Sequence, residues 1–166
     1  MAALARVTEI MRAGSWAPET AIDSLCLTYD ERHRRRLRYI ASRGTTFLLD
    51  LPRATVLAAG DGLRLDDGRV IHVDAAPEAL VEVTAPDTAT LIRLAWHIGN
   101  RHLAAQLEAD RIVIRDDPVI TNMLLGLGAA VAPLQEAFSP ESGAYHDGNG
   151  PMGHLANGHG HRHTGE

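Results

Sequence analysis

The sequence of 166 residues has one cysteine, few aromatic side chains and no long apolar run. Cys26 cannot form a disulfide within the chain, which fits a reducing compartment, and within LCLTY we expect it to be a small buried side chain. No apolar stretch approaches the roughly 18 residues of a membrane span. The N-terminal segment lacks the continuous apolar core of a secretory signal, so we expect a cytoplasmic protein.

The chain also lacks the motifs of common enzyme classes. It has no phosphate-binding loop and no GxSxG motif, and no paired carboxylates stand where the sequence indicates a pocket. We therefore expect a protein that is not an enzyme. The net charge of −5 disfavours nucleic acid as the main partner. The only basic run, residues 32–38 (RHRRRLR), alternates with Leu37 and Tyr39 and indicates the solvated face of a strand, with nucleic-acid binding as the alternative.

Residues 1–75 are predicted to form a small all-β domain. The runs SLCLTY, RRLRYIAS and TTFLLDLP are typical of strands, and we expect Pro52 to end the third. The segments LRL and RVIHV flank Asp66–Gly68. Asp-Gly between two such runs indicates a hairpin, because glycine accepts the positive φ of tight turns. No segment of helical period and useful length interrupts this region.

Residues 76–138 have a different pattern, with a linker expected at residues 74–79 (DAAPEA). ALVEVTA, AAQLEAD, RIVIRD and AAVAPLQEAF are predicted strands. DTATLIRLAWHIGNR places apolar residues on one helical face after Asp87 as N-cap, and DPVITNMLLGLG opens a second helix with Asp117 as cap and Pro118 in the first turn. The order β-α-β-β-α-β predicts a ferredoxin-like domain, so the chain as a whole is expected to be α+β.

Residues 139–166 are rich in Gly, Pro, Asn and His and cannot bury enough apolar surface to offset their ordering entropy, so we expect a flexible His-rich tail. Five of the nine histidines lie in this tail: His146, His154, His159, His161 and His163. Neutral imidazole suits nickel, copper and zinc, and low-complexity His clusters are typical of metal binding. The alternative is a solvated tail with an accidental histidine bias.

Two further histidines, His97 and His102, lie in the segment WHIGNRH. Five residues correspond to about 140° of rotation on an ideal helix, so the two imidazoles do not share a helical face. This spacing, together with the absence of the required Glu, excludes the arrangement of a zinc protease. Spacing alone assigns a function to neither histidine.

The segment WHIGNRHLAAQLE, residues 96–108, resembles the signature of the urease accessory protein E family, the nickel metallochaperones of urease maturation. RRRLR, LPRATVLAAGDGL, AAPEALVEV and FSPESGAYH resemble further segments of that family in the same order. The resemblance covers about residues 24–163. The fold that it implies, a β domain followed by a ferredoxin-like domain, agrees with the patterns described above.

The resemblance implies a homodimer through the C-terminal domain, with the principal nickel ligand at His102 near the dimer axis. A residue near the axis of an isologous interface faces its own copy, so two His102 imidazoles would share one ion, and tail histidines would complete its shell. His97 is expected to be structural, or to be a group that contacts a ligand residue or lies at the surface. Some relatives carry two more histidines where this chain has Asp116 and Pro118, so secondary sites at those positions are expected to be missing.

The expected function is capture of Ni²⁺ and its delivery, through the urease accessory GTPase, to the urease apoprotein. Zn²⁺ is the alternative ion. The competing interpretation is a metal store or a zinc and nickel buffer without a delivery role, which needs the tail but not His102.

Overall fold

The computed structural model describes residues 4–142, which form two β-sheets and a few short helices. The strands of the six-stranded sheet lie within residues 5–75, and those of the four-stranded sheet lie within residues 77–137. The fold is therefore α+β. Most of the segment expected to be a flexible tail, residues 143–166, lies outside the described residues.

The first sheet has the strand order β2-β6-β5-β1-β4-β3. Its strands are β1 (Ala5–Met11), β2 (Asp23–Leu27), β3 (His33–Ile40), β4 (Thr46–Val56), β5 (Gly62–Leu65) and β6 (Val70–Ala75). A 3-10 turn at Pro18–Thr20 and the four-residue helix α1, Tyr29–Arg32, lie between strands. The pairs β1–β4 and β2–β6 are parallel, and the other neighbours are antiparallel.

Alternation along β2 decides which of its side chains enter the core. Leu25 and Leu27 are buried, and Cys26 between them faces solvent. The prediction that Cys26 is buried was therefore wrong, because successive side chains of a strand point to opposite faces and the two leucines occupy the inner one. The core is aliphatic apart from Tyr39 and Phe47, in keeping with the low aromatic content.

The predicted Asp-Gly hairpin is present between β5 and β6. The two strands pair antiparallel. At the turn between them, the Leu65 amide donates to the Arg69 carbonyl at 2.8 Å, and the Leu65 carbonyl accepts from the Gly68 amide at 3.0 Å. Gly68 adopts a φ of 86°, a conformation that glycine enters without steric cost. The turn chemistry read from the sequence thus accounts for this local structure.

Three details of the first sheet differ from expectation. β1 was not predicted as a strand. β4 does not end at Pro52 but continues to Val56. The β3–β4 register shifts in this part of β4, and a proline is tolerated where the ladder is interrupted. The expected linker at residues 74–79 is reduced to Ala76, because β6 ends at Ala75 and the next strand begins at Pro77.

The second sheet has the order β10-β7-β9-β8 and is antiparallel throughout. Its elements are β7 (Pro77–Thr84), α2 (Thr88–Asn100), β8 (Ala105–Leu107), β9 (Ile112–Arg115), α3 (Pro118–Gly126) and β10 (Ala130–Ala137). Both helices pack on one face of the sheet, through a cluster that includes Leu94, Ile98 and Leu124 from the helices and Val83 and Ile112 from the strands.

Both predicted N-caps are confirmed. The Asp87 carboxylate accepts from the Thr90 amide at 2.7 Å and from the Thr90 hydroxyl, and these bonds lower the pKa of Asp87. Asp117 accepts from the amides of Val119 and Ile120 at 2.8 and 3.2 Å. Each carboxylate satisfies amides that have no partner within the helix, which fixes where α2 and α3 begin.

The two sheets meet at α1. The Tyr29 amide donates to the Glu78 carboxylate at the start of β7 at 2.8 Å. The Arg32 side chain is buried and donates to the carbonyls of Leu57 and Phe138. Phe138, which directly follows β10, is fully buried. Side chains of the first sheet and the end of the second are therefore held together at one place.

Within residues 4–142, no helix combines the length and the apolar character needed to cross a membrane. The longest, α2, has 13 residues.

A buried carboxylate fixes the turn between β3 and β4 to the start of β2. Asp23, only 4% exposed, accepts from the amides of Ser24, Arg43 and Thr45 at 2.8, 2.8 and 3.1 Å. Burial opposes ionisation of this carboxyl, but the hydrogen bonds outweigh it and lower the pKa of Asp23 to about 2. The charged form is therefore the one that the folded chain stabilises.

We expect Asp23→Asn to lower the free energy of unfolding by about 2 kcal/mol at neutral pH, because charge-assisted bonds to amides are lost. A lowered pKa contributes stability above the ordinary value of 3.8, and this contribution is lost as pH falls through about 2. The difference from wild type should therefore narrow between about pH 4 and pH 2 in urea denaturation. Asp110→Asn, an exposed carboxylate beyond β8, is the control. A difference that stays constant down to about pH 2 would contradict this account.

Candidate metal centre

His102 lies in the turn that ends α2. Its amide donates to the Gly99 carbonyl at 2.9 Å, and the next amide, that of Leu103, donates to the Ile98 carbonyl at 3.4 Å. This pair of bonds is the Schellman pattern of a helix C-terminus, and Leu103 and Ile98 belong to the same apolar cluster, as that pattern requires. The pattern needs a left-handed residue between them, and His102 has a φ of 57°.

The residue at position 102 is unusual for its conformation. It is the only residue other than glycine with a positive φ among residues 4–142. Glycine is common at this position of a helix end, because a side chain costs about 1–2 kcal/mol in the left-handed region. The His102 side chain is exposed at the C-terminal end of α2, where the partial negative charge of the helix favours cations. The helix end thus presents an imidazole to solvent at an energetic cost.

A cavity of about 490 Å³ lies beside His102. It is lined by residues 102–104 of the turn and by residues 114–117 and Ile120, which include the end of β9 and the first turn of α3. The lining residues of the cavity therefore include one histidine, one arginine and two aspartates: His102, Arg115, Asp116 and Asp117.

The segment before α3 offers carboxylates and no histidine. Asp116 is exposed and lines the cavity. Asp117 is engaged as the N-cap of α3, and Pro118 is the first residue of that helix. Asp116 is therefore the free acidic side chain of the cavity, and Pro118 has no ligand atom to offer.

The other histidines of residues 4–142 lie at places in the fold that differ from that of His102. His97, in the last turn of α2, is half-buried, with its ring edge-on to Trp96 at 5.0 Å between centroids. His33 lies in β3. His72 lies in β6, with its Nδ1 3.1 Å from the Asp74 carboxylate. The predicted ligands His146, His154, His159, His161 and His163 lie outside the described residues.

One copy of the described chain does not complete a metal site. Residues 4–142 contain no group of three or more His, Cys, Asp or Glu side chains placed to hold an ion. His102 alone offers one nitrogen as a ligand atom. A metal site built on it would need further ligands from residues 143–166 or from a second copy.

Sequence reasoning identified His102 through a resemblance but missed its backbone conformation. The signal was present, since Gly99 and Asn100 mark the fraying end of the helix. The Schellman pattern then places the left-handed position just beyond, followed by an apolar residue, which here is Leu103. The contribution of Arg115 and Asp117 to the cavity depends on how β9 packs beside the turn, and no local pattern encodes that.

Comparison with known families gives matches over nearly the whole chain. The family model described as UreE urease accessory protein, N-terminal domain, matches residues 5–76, and the one described as UreE urease accessory protein, C-terminal domain, matches residues 78–165. The two matches meet where β6 passes into β7.

Individual relatives agree. The urease accessory protein UreE of Beijerinckia indica subsp. indica is 49% identical over 140 residues, which cover 84% of this chain and 80% of that protein. The UreE of a Bradyrhizobium species is 48% identical over 149 residues, covering 90% and 72%. That of Rhodobacter capsulatus is 46% identical over 154 residues, covering 93% and 94%.

The left-handed conformation at position 102 predicts how two substitutions there should change the free energy of unfolding. His102→Gly should raise the free energy of unfolding by about 0.5–1 kcal/mol, because glycine relieves the left-handed strain but loses more chain entropy on folding. His102→Ala keeps the strain and should differ from wild type by less than about 0.5 kcal/mol. Urea denaturation without metal measures both, and a His102→Gly chain less stable than His102→Ala would show that the turn is not strained.

Proposed function

This chain belongs to the UreE urease accessory protein family, which places it in urease maturation, and on that premise we propose that it is a carrier that captures Ni²⁺ and passes it to the assembling urease. The ion is cargo, and no catalytic role is proposed. We assign dimerisation and metal binding to residues 76–138, with the ferredoxin-like strand order, and partner contacts to residues 1–75. The proposed place of action is the cytoplasm.

The observation that carries this proposal is the exposed imidazole of His102 at a strained helix end. A residue chosen for stability alone would be glycine there. A histidine in its place keeps a borderline nitrogen ligand in solvent, close to the helix dipole and beside a cavity. Function is the simplest reason to retain strain of this kind.

A second copy of the chain is the proposed source of a matching His102. Apolar side chains are exposed on the outer surfaces of both helices of the second sheet: Ile92 and Trp96, one turn apart on α2, are 64% and 63% exposed, and Val119 on α3 is 75% exposed. Such side chains are typical of an interface core. An isologous dimer through this surface would bring its two copies of α2 together, with His102 at the end of each.

The start of the C-terminal tail supports the contribution of tail histidines. The Ser139 amide donates to Gln106 Oε1 at 3.0 Å, and the Glu141 amide donates to the Ala105 carbonyl at 2.8 Å. β8 begins three residues after His102. His146 follows Glu141 by five residues, a reach of at most about 18 Å. We therefore propose His146 as the first tail ligand, with the more distant ones following: His154, His159, His161 and His163.

An incomplete ligand set suits delivery. A closed tetrahedral cage would release its ion slowly, whereas a shared imidazole pair with open positions exchanges ligands one at a time. Imidazole binds Ni²⁺ only when neutral, so protons should compete with the metal as the pH falls. The proposed recipients are the urease accessory GTPase and, through it, the urease apoprotein.

The proposed dimer is tested by placing a charge on the exposed helix surface. Trp96→Glu should weaken dimerisation by about tenfold or more, because a buried aromatic anchor is lost and a carboxylate is desolvated. Analytical ultracentrifugation measures the dissociation constant. Leu37→Glu, an equivalent change at a 40% exposed leucine of β3, is the matched control and should leave assembly unchanged. Wild type that sediments as a monomer, or equal weakening by both variants, would overturn the assignment.

Delivery is tested in urease-expressing cells that contain this chain as their only family member. Under limiting nickel, His102→Ala should reduce urease activity severalfold, and added nickel should restore it by mass action. His72→Ala removes an imidazole from the first sheet and should have no effect.

The same cells distinguish the alternative, a nickel or zinc store. A store would keep its capacity through the tail, so His102→Ala would leave urease activity unchanged. That outcome would refute the carrier proposal and favour storage.

A further inference from the structure

A buried guanidinium joins the two sheets. Arg32, the last residue of α1, is 2% exposed. Its Nη1 donates to the Leu57 carbonyl at 3.1 Å and its Nη2 to the Phe138 carbonyl, while the Leu57 amide donates to the Arg32 carbonyl at 3.0 Å. Arg32 therefore connects the first sheet to the residue that follows β10.

Phe138 is held from three sides. Its ring lies edge-on to Tyr29 at 5.8 Å between centroids, and the Arg115 guanidinium lies 5.5 Å from its centre. It packs with Leu80 and Val113 in a small apolar cluster beneath the second sheet. The chain that leaves β10 is thus fixed at Phe138 by contacts from both sheets.

The residues that follow Phe138 are also hydrogen-bonded to the fold. The Ser139 amide donates to the Gln106 side chain, and the Glu141 amide donates to the Ala105 carbonyl. Ala104, the neighbour of Ala105, lines the His102 cavity. The path of residues 138–141 therefore leads from the joint between the sheets to the edge of the cavity.

We infer that Arg32, Phe138 and Gln106 form a latch that fixes the start of the C-terminal tail beside His102. The latch makes Arg32 a positioning residue for metal binding, although it lies in α1, between two strands of the first sheet. This inference rests on the proposed function, because it concerns how tail histidines reach the nickel that His102 holds.

Stability alone does not account for the arrangement. A buried charge is costly, and replacing it by apolar side chains is often neutral or stabilising. Arg32 also leaves its Nε without a hydrogen-bond partner among the described residues. Its bond to the Phe138 carbonyl instead fixes the direction in which the chain continues.

The size of the effect follows from the length of the tether. With the latch closed, Glu141 is the last of the described residues that is hydrogen-bonded to β8, and it lies five positions before His146. With it open, the last residue paired with a strand is Ala137 of β10, nine before His146. The effective concentration of a tethered ligand falls roughly as the −3/2 power of tether length. Opening the latch should therefore lower the effective concentration of His146 near His102 about two- to threefold. Movement of the freed segment away from the cavity would lower it further.

The test uses four full-length chains, with nickel affinity measured by calorimetry at neutral pH. They are wild type, Arg32→Met, a chain with its tail imidazoles replaced, and the combination of both. The replaced residues are His146, His154, His159, His161 and His163. In the chain that keeps its tail imidazoles, Arg32→Met should weaken nickel binding at least about twofold. In the chain whose tail imidazoles are replaced, the same substitution should leave nickel binding unchanged.

Two further measurements keep the test decisive. Gln106→Ala removes the hydrogen bond to Ser139 at a less buried site and should also weaken nickel binding. This variant provides the test if Arg32→Met does not fold. Amide hydrogen exchange should show faster exchange at Glu141 in both variants. Arg38→Met, the same change at an exposed position of β3, should alter neither quantity.

The outcomes separate this inference from the proposed function. No micromolar nickel binding by wild type would refute the carrier, while hydrogen exchange would still report whether the latch holds the segment. Equal weakening in both backgrounds would show that Arg32 only supports the fold, and no weakening in either would show that the latch does not position the tail. Both results overturn the inference.

Discussion

The end of α2 is closed by two backbone hydrogen bonds that require a left-handed residue at position 102, and the arrangement of the candidate centre depends on this turn. It directs the chain into β8 and places the cavity between the turn and the start of α3. Because Leu103 must return to the core beside Ile98, the preceding side chain is forced outward. The constraint that exposes the imidazole is therefore apolar packing.

The second determinant lies at the joint between the sheets. The four-stranded sheet has helices on one face, and its other face is partly covered where Tyr29, Phe138 and Arg115 meet. Arg115 belongs both to this joint and to the lining of the His102 cavity. Asp30 of α1 and Glu78 of β7 lie 2.9 and 3.8 Å from its guanidinium, so the positive charge of Arg115 is partly neutralised at the joint.

Sequence reasoning succeeded where structure is encoded locally. Asp87 and Asp117 cap the helices as their positions predict, and the Asp-Gly turn forms its hairpin. It failed where the structure of a segment depends on contacts with segments that are distant in the chain. β1 was missed because its strand character depends on pairing with β4 and β5, and Pro52 was misjudged because an interrupted ladder tolerates proline.

The same distinction applies to the candidate site. The sequence identified His102 by resemblance, and the fold adds its strained backbone, its cavity and the path of residues 138–141. Those features depend on contacts between residues far apart in the chain, which periodicity cannot report. Arg32 illustrates this, since its segment indicated only a solvated basic strand, yet its side chain is buried at the joint.

The bond between Arg32 and the Phe138 carbonyl spans 106 positions of the chain, and this separation sets an order of events during synthesis. The first sheet is complete at residue 75 and can fold while the ribosome is still making the second. Until Phe138 emerges, the Arg32 guanidinium lacks one of its two carbonyl partners, while the other, that of Leu57, has already been made. The second hydrogen bond of this side chain can therefore form only in a chain whose two halves have both been made.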